Sequence, residues 1–236
     1  DDIDVGMLRD DYELFLQVAP GELGDRFVLS NGFIQKNCPG MFTMMSAANT
    51  LHVTEQESLW GYQHGIRMDI FPFDYVPEDE GKRRRQFSAV RTWYQIYIMK
   101  NLSRPMIPGN GIKARAIRGI CRVMHVLLKA LPMGVILWRI RKASLRYRGQ
   151  GDLVTLLYDI HPEKYMLRLS DIFPLQDGVF EGIKEKLMDH NHMALQDSYG
   201  DYWELPPKDQ RVNHYSGRLR FDESDEINET DDQAGH

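Results

Sequence analysis

The chain opens on an alternation of acids and apolar residues, Asp2-Ile3-Asp4-Val5. Successive side chains of an extended strand point to opposite faces, so this pattern predicts a strand that sets Asp2 and Asp4 on one face. Residues 9–18 switch to helical spacing, with Leu8, Tyr12, Phe15 and Leu16 on one side and Pro20-Gly21 as the stop. A short strand is predicted over 27–30, followed by turn signals at Asn31-Gly32 and Pro39-Gly40. Residues 65–73 read as a second strand, closed by Pro72 and the Val76-Pro77 loop, in which Asp69 is set between Met68 and Ile70. An acid in an apolar strand is costly unless it is paired or binds a cation.

Between 82 and 148 the pattern is helical, broken at Ser103-Arg104-Pro105 and at Pro108-Gly109-Asn110-Gly111. Ile112, Ala116, Ile117, Ile120, Met124, Leu127, Leu128 and Leu131 line one helix face, with Arg115, Arg118, Arg122 and Lys129 largely on the other. Pro132 ends or kinks that helix. The uncharged run 130–138 is far shorter than the roughly 20 residues of a membrane span. A basic amphipathic helix with Trp and Leu suits either packing on a core or lying at a lipid interface. The last third predicts short extended pieces at 171–175 and 179–183, a helix over about 183–198 and a loop over 199–207. Residues 222–236 are acidic, poor in apolar residues and expected to be disordered. The whole predicts an α+β fold, one domain over 1–221 with a basic, mainly helical middle at 81–151.

Charge sharpens this picture. The formal net charge of −5 hides an asymmetry, because residues 81–151 contain no Asp or Glu and are dense in Lys and Arg. A basic middle between acidic flanks argues for an anionic partner: a nucleotide phosphate, a phosphorylated polymer or an anionic membrane surface, with no nucleic acid expected. Cys38 and Cys121 have neither C-x-x-C spacing nor a disulfide framework, which disfavours structural zinc and favours a reducing compartment. The expected location is cytoplasmic, peripheral on the inner face of the membrane. No signal peptide is read at the start, and because the chain begins with Asp rather than Met, a preceding segment is expected to be missing.

Two carboxylates on one strand face make a hard, negative oxygen set suited to Mg²⁺ or Mn²⁺, and a third from a neighbouring strand would complete a site for phosphoryl or nucleotidyl transfer. A bare D-x-D also recurs by chance in solvated turns, so Asp2 and Asp4 carry little without Asp69. Arg67 falls on the face of Asp69 by alternation, placed either to contact a phosphate or to pair with Asp69. His190 and His192, two apart, fall on different faces of a helix. Gly109-Asn110-Gly111 lacks the P-loop lysine, and neither cysteine carries a nucleophile signature. Arg211 and His214 follow Pro206-Pro207 and are candidates to reach an acceptor phosphate.

Three blocks in this order resemble the LicD family of phosphotransferases, a branch of the nucleotidyltransferase-fold superfamily. They are Asp1-Asp2-Ile3-Asp4-Val5-Gly6-Met7; Gly65-Ile66-Arg67-Met68-Asp69-Ile70-Phe71-Pro72-Phe73-Asp74 with Val76-Pro77; and Phe180-Glu181-Gly182-Ile183 followed by Tyr199-Gly200-Asp201-Tyr202 and Leu205-Pro206-Pro207. The resemblance implies a nucleotidyltransferase-like mixed sheet carrying an aspartate triad. It implies transfer of a phospho-alcohol, typically phosphocholine, from a CDP-alcohol donor such as CDP-choline to a hydroxyl of a cell-surface glycan, teichoic acid or lipopolysaccharide. CMP leaves. Relatives transfer ribitol phosphate from CDP-ribitol. Carried over by position, Asp2 and Asp4 are the metal-binding pair and Asp69 the third, catalytic carboxylate, while Asp74, Tyr199, Gly200 and Asp201 match motifs in the wall of the site.

The chain also departs from that pattern. Family members carry a Gly-rich strand-to-helix segment ending in Pro-Trp-Asp ahead of the aspartate pair. It is missing here, which implies a fragment lacking part of its donor site. They also tend to hold a Lys and an Arg-Asp pair ahead of a Thr; with Thr50 as that Thr, Met44, Ser46 and Ala47 stand in those places. Two rivals follow: a non-catalytic glycan- or membrane-binding relative, favoured by the missing segment, and a D-x-D glycosyltransferase, which would not predict the Asp69 or Tyr199 blocks.

Overall fold

In the computed structural model, which describes residues 4–54, 57–62, 64–102, 109, 111–204, 207, 217–221 and 228–230, the chain is a mixed α+β fold. Asp2, Ser103-Arg104-Pro105, Pro108, Asn110, Pro206, Arg211, His214 and most of the acidic tail lie outside the described residues. The opening alternation gives strand β1 (Asp4–Leu8), which runs directly into helix α1 (Arg9–Leu23). That helix does not stop at Pro20. Proline removes one i→i−4 bond, yet one more turn follows, and the helix ends at Gly24, whose φ of 58° suits glycine.

Strands β2 (Phe27–Ser30), β3 (Thr43–Ala47), β4 (Leu51–Val53) and β5 (Arg67–Tyr75) follow. β5 is the hinge of the architecture: it pairs antiparallel with β3, parallel with β1, and antiparallel with β6 (Leu153–Thr155) further along the chain. The order β2-β3-β5-β6-β7, with β7 at Leu167–Arg168 and β1 joined to β5, makes a six-stranded mixed sheet. β5 does not close at Pro72. It continues to Tyr75, with Pro72 opposite Met7 of β1, beyond the residues paired with β3 and before those paired with β6.

The basic middle is helical as expected: α2 (Glu80–Asn101), α3 (Ile112–Leu128) and α4 (Met133–Ser144), with Pro132 capping α4. Asp79 caps α2 by accepting from the Lys82 amide at 2.7 Å, a contact worth about 1 kcal/mol. The main core joins Met41 and Met44 to Tyr97 of α2 and to Ile136 and Ile140 of α4. Gln86 is fully buried, and its Nε2 donates to the carbonyls of Tyr75 and Ser144, tying α2 to the end of β5 and to α4.

Two expectations for the last third are corrected. Residues 171–175 are not extended throughout, since Leu169–Ile172 forms one helical turn, α5, where the Asp171 carboxylate accepts from the Arg168 amide. The segment from 183 to 187 is not helical. It is strand β9 (Ile183–Leu187), paired with β8 (Gln176–Phe180) across Glu181-Gly182, both at positive φ, the two-residue turn that matches strand twist. Helix α6 (Asn191–Tyr199) starts only after it, and β10 (Gly217–Arg220) and β11 (Asn228–Thr230) add to β4 in a separate small sheet.

Candidate functional site

β5 has two unlike faces. Ile70, Pro72 and Asp74 are buried, while Arg67, Asp69, Phe71 and Phe73, at the alternate positions, are half-buried. The strand's period of two therefore separates its two acids, five residues apart, onto opposite sides of the sheet.

On the half-buried face Asp69 is the register partner of Asp4 in parallel β1 and of Met44 in β3. Register partners present their side chains to the same face, so the two carboxylates stand beside each other, with Met44 as an apolar wall on the far side. Asp4 is exposed and the Asp69 side chain is 18 % exposed, so the pair is open to solvent from one side. Arg67 donates through Nε to Asp69 Oδ1 at 3.2 Å and pairs through Nη1 with Glu57 Oε1 at 2.7 Å.

Glu57 is held in turn. Its Oε2 accepts from the Thr54 amide and hydroxyl at 3.0 Å, and its own amide donates to Thr54 Oγ1. This is a reciprocal capping box, T-x-x-E, and it aims the carboxylate at Arg67. Burial pushes the Glu57 carboxyl up, but the Thr54 amide and Arg67 outweigh burial and hold it below the usual carboxylate range. Burial likewise pulls Arg67 down, and the Glu57 and Asp69 charges more than offset it. Thr50 fixes the start of the strand: it accepts from the Ile66 amide at 2.9 Å and donates to the Ala47 carbonyl at 2.7 Å. Gly65 packs so close that a Cβ there would stand 2.9 Å from the Ala47 carbonyl oxygen.

Behind this row lie Cys38, Tyr62 and His64. Burial pushes the Cys38 thiol up to about 11 and the Tyr62 hydroxyl up as well, which makes that cysteine a poor nucleophile. Burial pushes His64 down against the pull of the Trp60 carbonyl, which its Nε2 contacts at 3.3 Å.

The third sequence block arrives from a different direction. Tyr199 ends α6, Gly200 caps it at a φ of 71°, and the Asp201 carboxylate accepts from the Trp203 amide. Burial pushes the Tyr165 hydroxyl up, and the negative charge of Asp159 adds to it. His192 bonds the Tyr202 hydroxyl at 2.7 Å, and Tyr202 stacks on Trp203.

Asp74 belongs to the other face. It is 1 % exposed and receives two hydrogen bonds from Arg9, Nε to Oδ1 at 2.7 Å and Nη2 to Oδ2 at 2.6 Å. Asp74 outweighs the burial that disfavours the Arg9 charge, and the guanidinium stays protonated. Nearby the Tyr12 hydroxyl bonds Thr43 Oγ1 at 2.5 Å, and burial pushes it up to about 12. These contacts dock α1 beneath the sheet.

The structure thus brings Asp4, Asp69 and Arg67 together and sets Asp74 apart; Asp2 and Arg211 lie outside the described residues. Among the described residues no group of three His, Cys, Asp or Glu side chains is arranged to hold a metal ion. Glu57 joins the candidates through its pair with Arg67. Comparison with known proteins returns no matching family model, no similar curated protein and no similar solved structure.

Proposed function

We propose that this chain is a divalent-metal-dependent transferase that moves a phospho-alcohol from a CDP-activated donor to a hydroxyl of a cell-surface glycan, teichoic acid or lipopolysaccharide. The observation that carries this reading is the register of Asp4 with Asp69 across a parallel strand pair, on the sheet's half-open face. Mg²⁺ at phosphoryl-transfer sites is usually held by one or two carboxylates, with substrate phosphates and water filling the rest. Two hard oxygen donors side by side fit that demand, and Mn²⁺ would take the same set.

A bound cation would neutralise the donor diphosphate and the charge on departing CMP. The chain's own residues do the remainder. Asp4 and Asp69 would hold the ion, Asp69 would also accept the proton of the attacking hydroxyl, and Arg67, fixed through Nε and Nη1, would offer Nη2 to a phosphate oxygen. Positioning and electrostatics supply most of the rate in such transfers.

A second reading, a non-catalytic relative that binds a glycan, is favoured by Met44 and Ser46 standing beside Asp69 and Arg67, so that β3 offers the site no cation. Titration calorimetry of the full chain with CDP-choline, CDP-ribitol and CDP-glycerol separates the two. The transferase reading expects one of them to bind in the presence of Mg²⁺, binding to be lost on chelation and in Asp69→Asn, and CMP to be released when acceptor is added. Binding of none, or equal binding by Asp69→Asn, would overturn it.

A further inference from the structure

We propose that α3 is an interfacial element that lays an apolar stripe on an anionic phospholipid bilayer. The inference does not rest on the reaction above. None of the 17 residues of α3 is buried, although the helix is strongly amphipathic. Ile112 is 83 % exposed and Ile120 and Leu127 are each 63 % exposed, with Val123 close behind. At 100° per residue, Ile112, Ala116, Ile120, Val123 and Leu127 fall within an arc of about 80°. Arg115 and Arg122 border this arc on one side and Lys113 on the other. The body of the protein touches the opposite side of the helix: His125 Nδ1 contacts the Met99 carbonyl at 3.0 Å, and Lys100 Nζ donates to the Leu128 carbonyl at 2.8 Å. The stripe therefore faces away from the fold, not into a core.

α4 repeats the chemistry. It buries Ile136, Ile140 and Ser144 and leaves Trp138 52 % exposed, with Arg139 and Lys142 lying 5.1 and 4.8 Å from its ring centroid. A tryptophan between two cations is suited to the headgroup level of a bilayer. Among the described residues no single helix is long and apolar enough to cross a membrane, and α3 and α4 are bent by 104° at their junction. That geometry fits lying on a surface.

Charge selects the occupant. With no acid anywhere in residues 81–151, pairing of two copies through this stripe would bring Arg115 and Arg122 against their own equivalents. The acidic residues 222–236 match the basic flanks but contain only Ile227 and Ala234 as apolar cover, too little for five exposed side chains. A bilayer rich in anionic lipid supplies both the apolar interior and the negative surface, with each Lys or Arg that reaches it strengthening binding.

The test is co-flotation of the full chain with vesicles of phosphatidylcholine alone or mixed with phosphatidylglycerol. We expect binding to the mixed vesicles at low salt, weakened by high salt, and little binding to phosphatidylcholine alone. Arg115→Ala/Arg122→Ala should weaken it by about tenfold or more, and Ile120→Asp/Leu127→Asp should abolish it with an unchanged circular-dichroism spectrum. Absence of binding at low salt, equal binding by both double variants, or a dimer in solution that only Ile120→Asp/Leu127→Asp dissociates would overturn the proposal; the last outcome would assign the stripe to a second copy.

Discussion

One strand carries two acids that live under opposite rules. Asp74 is sealed beneath the sheet with both oxygens bonded to Arg9, whereas Asp69, on the other face, shares Arg67 with Glu57 and stands open beside Asp4. The first is a pair closed off from solvent. The second is a cluster that keeps one side toward solvent. An acid in an apolar strand is therefore not a site in itself; its parity along the strand decides whether it is sealed or available.

Exchanging charge on each face should break them differently. On the open face, the proposed function expects Asp4→Asn and Asp69→Asn each to lower phospho-alcohol transfer by orders of magnitude while shifting the thermal midpoint little, because the anion proposed to hold the metal is lost and the shape is kept. Transfer at the wild-type rate in Asp4→Asn would sink its assignment. On the sealed face, Arg9→Met leaves Asp74 buried without its partner and should cost about 3–5 kcal/mol, read from urea unfolding. A loss under 1 kcal/mol would mean that the pair is not desolvated as the geometry has it.

Smaller effects should belong to the supports of the open face. Thr54→Ala removes one half of the Glu57 capping box and should cost about 1 kcal/mol, with weakened donor binding because Arg67 loses its fixed partner; donor affinity unchanged in that variant would detach Glu57 from the site. The smallest effect is on pH. Burial lowers the His64 pKa below its ordinary 6.5, so the unfolded chain takes up protons first as pH falls. The stability it contributes is present above about pH 6.5 and is lost as pH drops through the folded value. Thermal midpoints measured down the acid side should fall less steeply in His64→Gln than in the wild type.

Much of the site is local enough to be read from the chain. The alternation at Asp4 and at Asp69 predicts two strands, and the same parity separates Asp74 from Asp69, since five residues is an odd step. Glu57 is legible too, as the last residue of a T-x-x-E pattern. What local pattern cannot give is the register that sets Asp4 against Asp69. β9 is opaque for another reason: all five of its residues are exposed, so no apolar alternation marks it, and the Glu181-Gly182 turn alone sets the hairpin. The stripe on α3 is plain in the sequence, but whether it faces a core depends on neighbours that only the fold supplies.

Arg9 and Asp74 are 65 residues apart in the chain, and Asp4 and Asp69 are separated by the same length. The β1–α1 unit docks on β5 once, and that single event creates both the sealed pair and the open one. Closing so long a loop sacrifices chain entropy before any contact rewards it, unlike the local helix α2 or the β8–β9 hairpin. On refolding from denaturant, protection of the β1 amides, burial of Arg9 and recovery of metal binding should share one late time constant.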